Sequence, residues 1–282
     1  MIDFLIYILT RVNTAVNAVG SFLLAPIGVL PGWLSNTLIA VVTGVVLLII
    51  FKYTSNQQAI GKIRDTIKAD MLALKLFKDS LSITFISQFR LFRGALKLLF
   101  YGIVPLLIMI VPVSLLLAQM GQWYQARPLL PGEEAVVTMK INDSSDSDFP
   151  SVTIKSIPGA EVLAGPVRIF SNREISWKIK AHAAGCHHIV FQVDKQQEVE
   201  KELAVGDSFM RISAKRPGWN LIDILCYPLE KPFTKDSAVQ SISIDYPQRT
   251  SWTSGTDWWL VYFFVASLVF SLVFKPFLKV RI

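Results

Sequence analysis

Charge and reactive side chains are scarce in this chain. Only 17% of its 282 residues are charged, and it holds two cysteines and three histidines. No Ser/His/Asp arrangement, glycine-rich phosphate loop or pair of carboxylates in a plausible cleft can be picked out. Nucleophilic or cofactor-dependent catalysis is therefore not expected, and neither an enzymatic activity nor a cofactor is assigned. Cys186, His187 and His188, with His182 close by, form a cluster of metal-ligating types. On a strand, however, Cys186 and His188 point to one face and His187 to the other, so the triplet cannot converge on one ion. Cys186 and Cys226 either stay free thiols or, in an oxidising compartment, pair as a disulfide, and the sequence leaves both open.

Hydrocarbon stands where charge is missing. The chain is 52% hydrophobic with a mean hydropathy of +0.46, the wrong ratio for an ordinary soluble protein. Leu34–Phe51, Leu98–Met120 and Trp258–Phe274 are each apolar and long enough to cross a bilayer, whose roughly 30 Å of hydrocarbon needs about 20 helical residues. Each has a basic end, at Lys52, Lys97 and Lys275. The opposite ends carry Trp33, then Trp123 and Tyr124, then Trp252, Trp258 and Trp259. Residues 52–97 hold nine Lys/Arg against three Asp/Glu, whereas residues 121–256 hold fifteen against sixteen. The net charge of +7 thus reports orientation rather than a nucleic-acid partner. The positive-inside rule expects a cell inner (cytoplasmic) membrane protein with residues 52–97 and the C-terminus in the cytoplasm. Pro105 and Pro112 predict a kinked second span.

Residues 1–31 are apolar but interrupted by Asp3, Arg11, Pro26 and Pro31. Asp3, Tyr7, Thr10, Thr14, Asn17 and Ser21 step by 4, 3, 4, 3 and 4, which draws one polar stripe along a helix. No basic region precedes the apolar run, as a signal sequence would have, and Arg11 lies inside it. A fourth span is an alternative. The preferred reading is an amphipathic helix in the outer interface, with Leu30-Pro31-Gly32-Trp33 turning the chain into the first span.

Between the first two spans, Ile60, Ile63, Ile67, Met71 and Leu74 recur at helical spacing, and so do Phe85, Phe89, Phe92, Leu96 and Leu99. Lys78-Asp79-Ser80 supplies a break, with Asp79 or Ser80 as the N-cap of the second helix. These features predict an antiparallel hairpin whose second arm continues into the second span. Lys62, Arg64, Lys68, Lys75, Lys78, Arg90 and Arg93 are its candidate contacts to anionic headgroups, a ribosome or a nascent chain.

Residues 124–250 change character, with balanced charge and frequent turn residues. Candidate strands are Ala135–Ile141, Val152–Ile157, Val167–Phe170, Glu174–Ala181, His188–Val193, Glu198–Val205, Phe209–Ser213 and Ser241–Asp245. They predict a β-sandwich, immunoglobulin-like in type. Around Trp219, Leu221, Ile222, Ile224 and Leu225 an apolar helical turn is expected to cap the sandwich or lie against the membrane.

The expected fold class is an α-helical membrane core of three transmembrane helices, an N-terminal amphipathic helix and a cytoplasmic hairpin, with an extracytoplasmic β-sandwich. Its parts are 1–32 for the amphipathic helix and turn, 33–52 for the first span, 53–97 for the hairpin and 98–121 for the second span. The sandwich takes 122–254, the third span 255–275 and a basic tail 276–282. This order, with Ser55-Asn56-Gln57-Gln58 opening the hairpin after Lys52, resembles the core of YidC-type membrane protein insertases and their archaeal and endoplasmic-reticulum relatives. The resemblance covers Met1 to about Met120 and the last span, and rests on organisation. It implies a groove open to cytoplasm and lipid that eases polar segments partway into the bilayer, with no cofactor. The chain departs from that pattern in two ways: its spans contain no charge, leaving Arg11 as the one basic candidate, and a single span follows the sandwich.

Two functions are expected to compete. One is an insertase-like protein that assists insertion or assembly of other membrane proteins, with Asp3, Tyr7, Thr10, Arg11, Thr14 and Asn17 bordering its hydrophilic groove. The other is a membrane scaffold, or a subunit of an envelope or transport complex, whose sandwich binds an extracytoplasmic protein. Expected partners are membrane lipids, nascent or other membrane proteins and that outer partner, with no specific nucleic acid.

Overall fold

The computed structural model describes residues 2–24, 28–76, 81–142, 150–194, 197–255 and 258–280. Among them are six helices and eight strands, divided between two compact units. One comprises Met1–Asn36 and Ser114–Tyr262, the other Thr37–Val113 and Phe263–Ile282.

The helices are α1 (Ile2–Leu23), α2 (Gly32–Thr54), α3 (Gln57–Leu76), α4 (Leu81–Tyr124), α5 (Leu221–Cys226) and α6 (Trp258–Leu278). Three of them, α2, α4 and α6, are long and apolar enough to cross a membrane. The expected continuity of hairpin arm and second span is present, because α4 runs 44 residues with Pro105 and Pro112 inside it. At about 1.5 Å per residue it measures about 66 Å, twice the roughly 30 Å of a hydrocarbon core.

In the first unit the strands are β1 (Glu134–Ile141), β2 (Val152–Ser156), β3 (Ala160–Ile169), β4 (Glu174–Ala181), β5 (Gly185–Val193), β6 (Gln197–Val205), β7 (Lys215–Arg216) and β8 (Val239–Ile244). They form two antiparallel sheets, ordered β3-β4-β1-β8-β7 and β2-β5-β6. Alternate side chains of β1 and β4 are buried, as the period of two requires. Val137, Met139, Trp177 and Ile179 from one sheet share a sandwich-like core with Ile189, Phe191, Val199 and Leu203 from the other. The Trp177 and Phe191 rings meet across it at 5.2 Å.

Two strand expectations are corrected. Phe209–Ser213 is not a strand. Phe209 stacks on Trp123 at 5.9 Å and tilts against Tyr124 at 5.6 Å, and the Ile212 amide donates to the Gln122 carbonyl, so the segment is drawn to the end of α4 instead of a sheet. The strand expected at Val167–Phe170 begins earlier, at Ala160. The added residues include Gly165-Pro166, which β3 holds because it is an edge strand with register shifts, where proline is tolerated. The expected helical turn after Trp219 is α5, N-capped by Asn220, whose side chain accepts from the Ile222 amide.

In the second unit, α2 and α6 approach through small residues: a Cβ on Gly44 would sit 2.5 Å from the Ser267 carbonyl oxygen. α3 and α4 approach at Gly94, where a Cβ would meet Ile67 at 2.7 Å. The expected apolar stripe of α3 is buried at Ile60 and half-buried at Ile63, Ile67 and Leu74, with Met71 alone of the five exposed. That of α4 does not face α3 at all: Phe85, Phe89 and Phe92 are 71%, 69% and 64% exposed. Ser87 is buried and Leu91, Gly94 and Leu98 are half-buried, steps of 4, 3 and 4 that define the packing face. At Gly94 the Ile67 side chain fills the space a Cβ would take, so this face is made of small and aliphatic residues. The break at Lys78-Asp79-Ser80 lies outside the described residues.

Candidate functional site

The polar stripe of α1 is engaged within its own unit. At its start, the Trp219 indole N–H donates to Asp3 Oδ1 at 2.9 Å, and Lys235 Nζ approaches Oδ2 at 3.5 Å. The indole hydrogen bond and then the Lys235 charge hold the Asp3 carboxyl below its usual range. One turn on, the Arg11 guanidinium donates to the Tyr7 hydroxyl at 2.9 and 3.2 Å, both side chains being exposed. Thr10 and Thr14 donate back to the carbonyls of Ile6 and Thr10 at 2.9 Å, which satisfies their hydroxyls locally. Asn17 donates to the Pro228 carbonyl and accepts from Gln119 Nε2 at 2.6 Å.

Asn13 belongs with these residues and was missed by the sequence reading. It is buried and donates to the Ile224 carbonyl at 2.7 Å. Its position, three after Thr10 and four before Asn17, is the signal that could have found it, because a stripe drawn through Thr14 passes it by. Thr10, Asn13, Thr14 and Asn17 line a cavity of about 220 Å³ closed by Ile224 and residues 228–232. Glu230, on that wall, also takes part in a buried ionic cluster. Lys201 is 0% exposed and donates to Glu230 Oε1 and the Ser213 carbonyl at 2.6 Å and to the Glu202 carbonyl at 3.1 Å. Burial pushes its ammonium below the ordinary lysine range, and Glu230 opposes that shift. Burial likewise raises the Glu202 carboxyl.

The hairpin basic residues separate into two groups. Arg90 and Arg93 converge with Lys97, which the sequence reading left out of its candidates, on a cleft of about 240 Å³ between α3 and α4. Ile63, Thr66, Asp70 and Gly94 complete its lining. Asp70 is 7% exposed and its Oδ2 has no hydrogen-bond partner. Lys62, Lys68 and Lys75 are exposed and Arg64 is half-buried on α3, and none of the four lines the cleft. Lys78 lies outside the described residues. Lysine and arginine stems can cover apolar surface while their heads stay hydrated, so Arg90, Arg93 and Lys97 can serve both the cleft and the neighbouring phenylalanine stripe.

Cys186 and Cys226 are free thiols. His182 pairs with Glu161 at 3.1 Å, and His187 Nε2 lies 2.9 Å from the Ala183 carbonyl. Among the described residues no group of three or more His, Cys, Asp or Glu is placed to hold a metal ion.

No family model matches the chain, and no curated protein does. Among solved structures, the crystal structure of the S-layer protein SbsC domains 4 and 5 matches 29% of this chain and 48% of its own length, at 18% identity and a TM-score of 0.22. The match thus spans about half of that chain, and a likeness at this level defines neither fold nor function.

Proposed function

We propose that the chain is an insertase-like integral membrane protein that assists insertion or assembly of other membrane proteins by non-covalent means. The observation that carries this reading is on α4, where one helix joins a polar cleft at Arg90, Arg93 and Lys97 to an exposed apolar face. Only 6% of the most apolar window of α4 is buried, against 33% for α2. A segment arriving at the hairpin would meet charged groups first and hydrocarbon next along a single element. Such a path lowers the cost of stripping water from a polar group, roughly 2–7 kcal/mol in an apolar medium. The resemblance to YidC-type insertases in element order supports the same direction.

In this reading the hairpin faces the cytoplasm of a cell inner membrane, as the nine basic residues of 52–97 favour, and the sheets lie outside. The hydrophilic surface is the hairpin cleft rather than α1, whose Asp3, Asn13 and Asn17 are already hydrogen-bonded to the outer domain. The sandwich is of immunoglobulin type. Reading β1 to β6 as strands B to G gives one sheet D-E-B and the other C-F-G, with β8 beside β1 where strand A would lie.

The scaffold reading has one observation in its favour. Edge strand β3 and its end expose Val162, Leu163, Val167, Ile169 and Phe170, a patch that suits an extracytoplasmic protein partner.

The test is expression in cells depleted of their own insertase, scoring membrane insertion of co-expressed small membrane proteins. Wild type restores insertion and the Arg90→Gln/Arg93→Gln/Lys97→Gln variant does not. No rescue by wild type would remove the insertase reading.

A further inference from the structure

We infer that the cleft between α3 and α4 binds a headgroup carrying both a phosphate and a primary ammonium, supplied by an aminophospholipid of the bilayer. The inference rests on the membrane reading above but does not need an insertase activity.

Two features of the cleft point to this ligand. Three cations, Arg90, Arg93 and Lys97, line it together with a single carboxylate. Guanidinium groups present forked donors that match phosphate oxygens, and lysine adds a point charge, so the trio suits one phosphate diester. The carboxylate is the more telling feature. Asp70 is over nine-tenths buried, yet its Oδ2 is unpartnered, and no ion pair within 4.0 Å ties it to the cations it shares the cleft with. A buried carboxylate oxygen without a donor is costly. A purely anionic ligand would leave that cost in place and add repulsion. An ammonium with three N–H donors, a few bonds from the phosphate, would satisfy Asp70 while the phosphate meets the cations.

The surface beside the cleft identifies the source. Phe85, Phe89, Phe92 and Leu96 form an exposed apolar stripe on α4, and Arg90, Arg93 and Lys97 follow it round the helix toward the face that packs on α3. Acyl chains laid on the stripe put the headgroup at the cleft. A soluble phosphoethanolamine would gain nothing from it.

The experiment uses the full-length protein in detergent micelles, incubated with phosphatidylethanolamine, phosphatidylcholine or phosphatidylglycerol of matched chains, or with glycerophosphoethanolamine alone. Retained ligand is counted by native mass spectrometry. Phosphatidylcholine carries a quaternary ammonium that cannot donate a hydrogen bond, and phosphatidylglycerol carries no cation. Phosphatidylethanolamine should therefore be retained about tenfold more tightly than either, the scale of one charge-assisted contact. Asp70→Asn, nearly isosteric, should abolish that preference while retention of all three lipids persists. Arg90→Gln/Arg93→Gln/Lys97→Gln should lose all three. Equal retention of the three lipids by wild type, or an unchanged preference in Asp70→Asn, would overturn the inference. Headgroup alone binding as tightly as the lipid would overturn its lipid source. Equal retention of the three lipids by a wild type that still supports client insertion would sink this site and leave the proposed function standing.

Discussion

Ser271 Oγ donates a hydrogen bond to the Gly44 carbonyl at 2.9 Å, so α6 touches the backbone of α2 itself. A Cβ at Gly44 would lie 2.5 Å from the Ser267 carbonyl oxygen and 2.9 Å from Ser271 Oγ, and the first of these is backbone that cannot turn away. Close backbone approach through small residues is how helices associate where hydrocarbon surrounds them. Gly44→Leu is expected to force the helices apart at a cost of about 1–3 kcal/mol, while Ser271→Ala loses only about 0.6 kcal/mol. Thermal unfolding in detergent should rank the variants in that order, and equal midpoints would contradict the crossing.

In the first unit, α1 is fastened by Asn13 on the Ile224 carbonyl and Asn17 on the Pro228 carbonyl. Asn13→Leu removes the donor and leaves a buried carbonyl unpaired, which costs about 1–3 kcal/mol. Hydrogen exchange should speed up through α1 and α5, with β1 and β4 unchanged. Exchange unaltered in α1 would mean that the helix is held by other forces.

The Lys201–Glu230 pair makes a sharper demand on stability. Glu230→Ala leaves a fully buried ammonium with only the Ser213 and Glu202 groups around it, and breaking a buried pair from one side costs about 3–5 kcal/mol. The double variant Lys201→Met/Glu230→Leu removes both charges and should recover most of that loss. Circular dichroism melts of the three proteins decide the matter, and a double variant no more stable than the single would contradict it.

Acid should weaken the start of the sheet domain through Glu133. Arg127 holds its carboxylate by two bonds of 2.8 Å, which, helped by the Leu130 amide, lowers its pKa to about 2 from an ordinary 4.5. Because the folded value is the lower one, the stabilisation is complete above about pH 4.5 and is lost as pH falls toward about 2. With the pair about one-third exposed, solvent screening reduces this to about 1–2 kcal/mol. Unfolding of Glu133→Gln should lack that part of the pH dependence between pH 5 and about 2, and an unchanged slope would dismiss the ion pair as its source.

The long-range order of the molecule was legible because its signals are repetitive. Apolar runs ending at Lys52 and Lys275, and alternation along residues 135–141 and 174–181, each sum over many residues. The site was less legible, because periodicity reveals that a face is apolar without saying what covers it. Phe85, Phe89 and Phe92 make a strong stripe, yet Gly94 and Ser87, small and uninformative in sequence, define where α3 packs. Asp70 looked like one of three acids in a basic loop, and only its burial beside Arg90, Arg93 and Lys97 sets it apart. Phe209–Ser213 has the composition of a strand, but stacking on Trp123 decided its course.

The central claim is that exposed α4 receives segments of other membrane proteins. It is tested most directly by photoreactive residues placed one at a time at Phe89, Leu96 and Leu107 on α4, and at Phe170 after β3, during synthesis of a small membrane protein stalled at successive lengths. Crosslinks to the stalled chain should appear at Phe89 first and at Leu107 as its apolar segment lengthens, and vanish on release, with none from Phe170. A single constant partner crosslinked from all four positions, whatever the length of the stalled chain, would contradict the insertase reading and favour a scaffold.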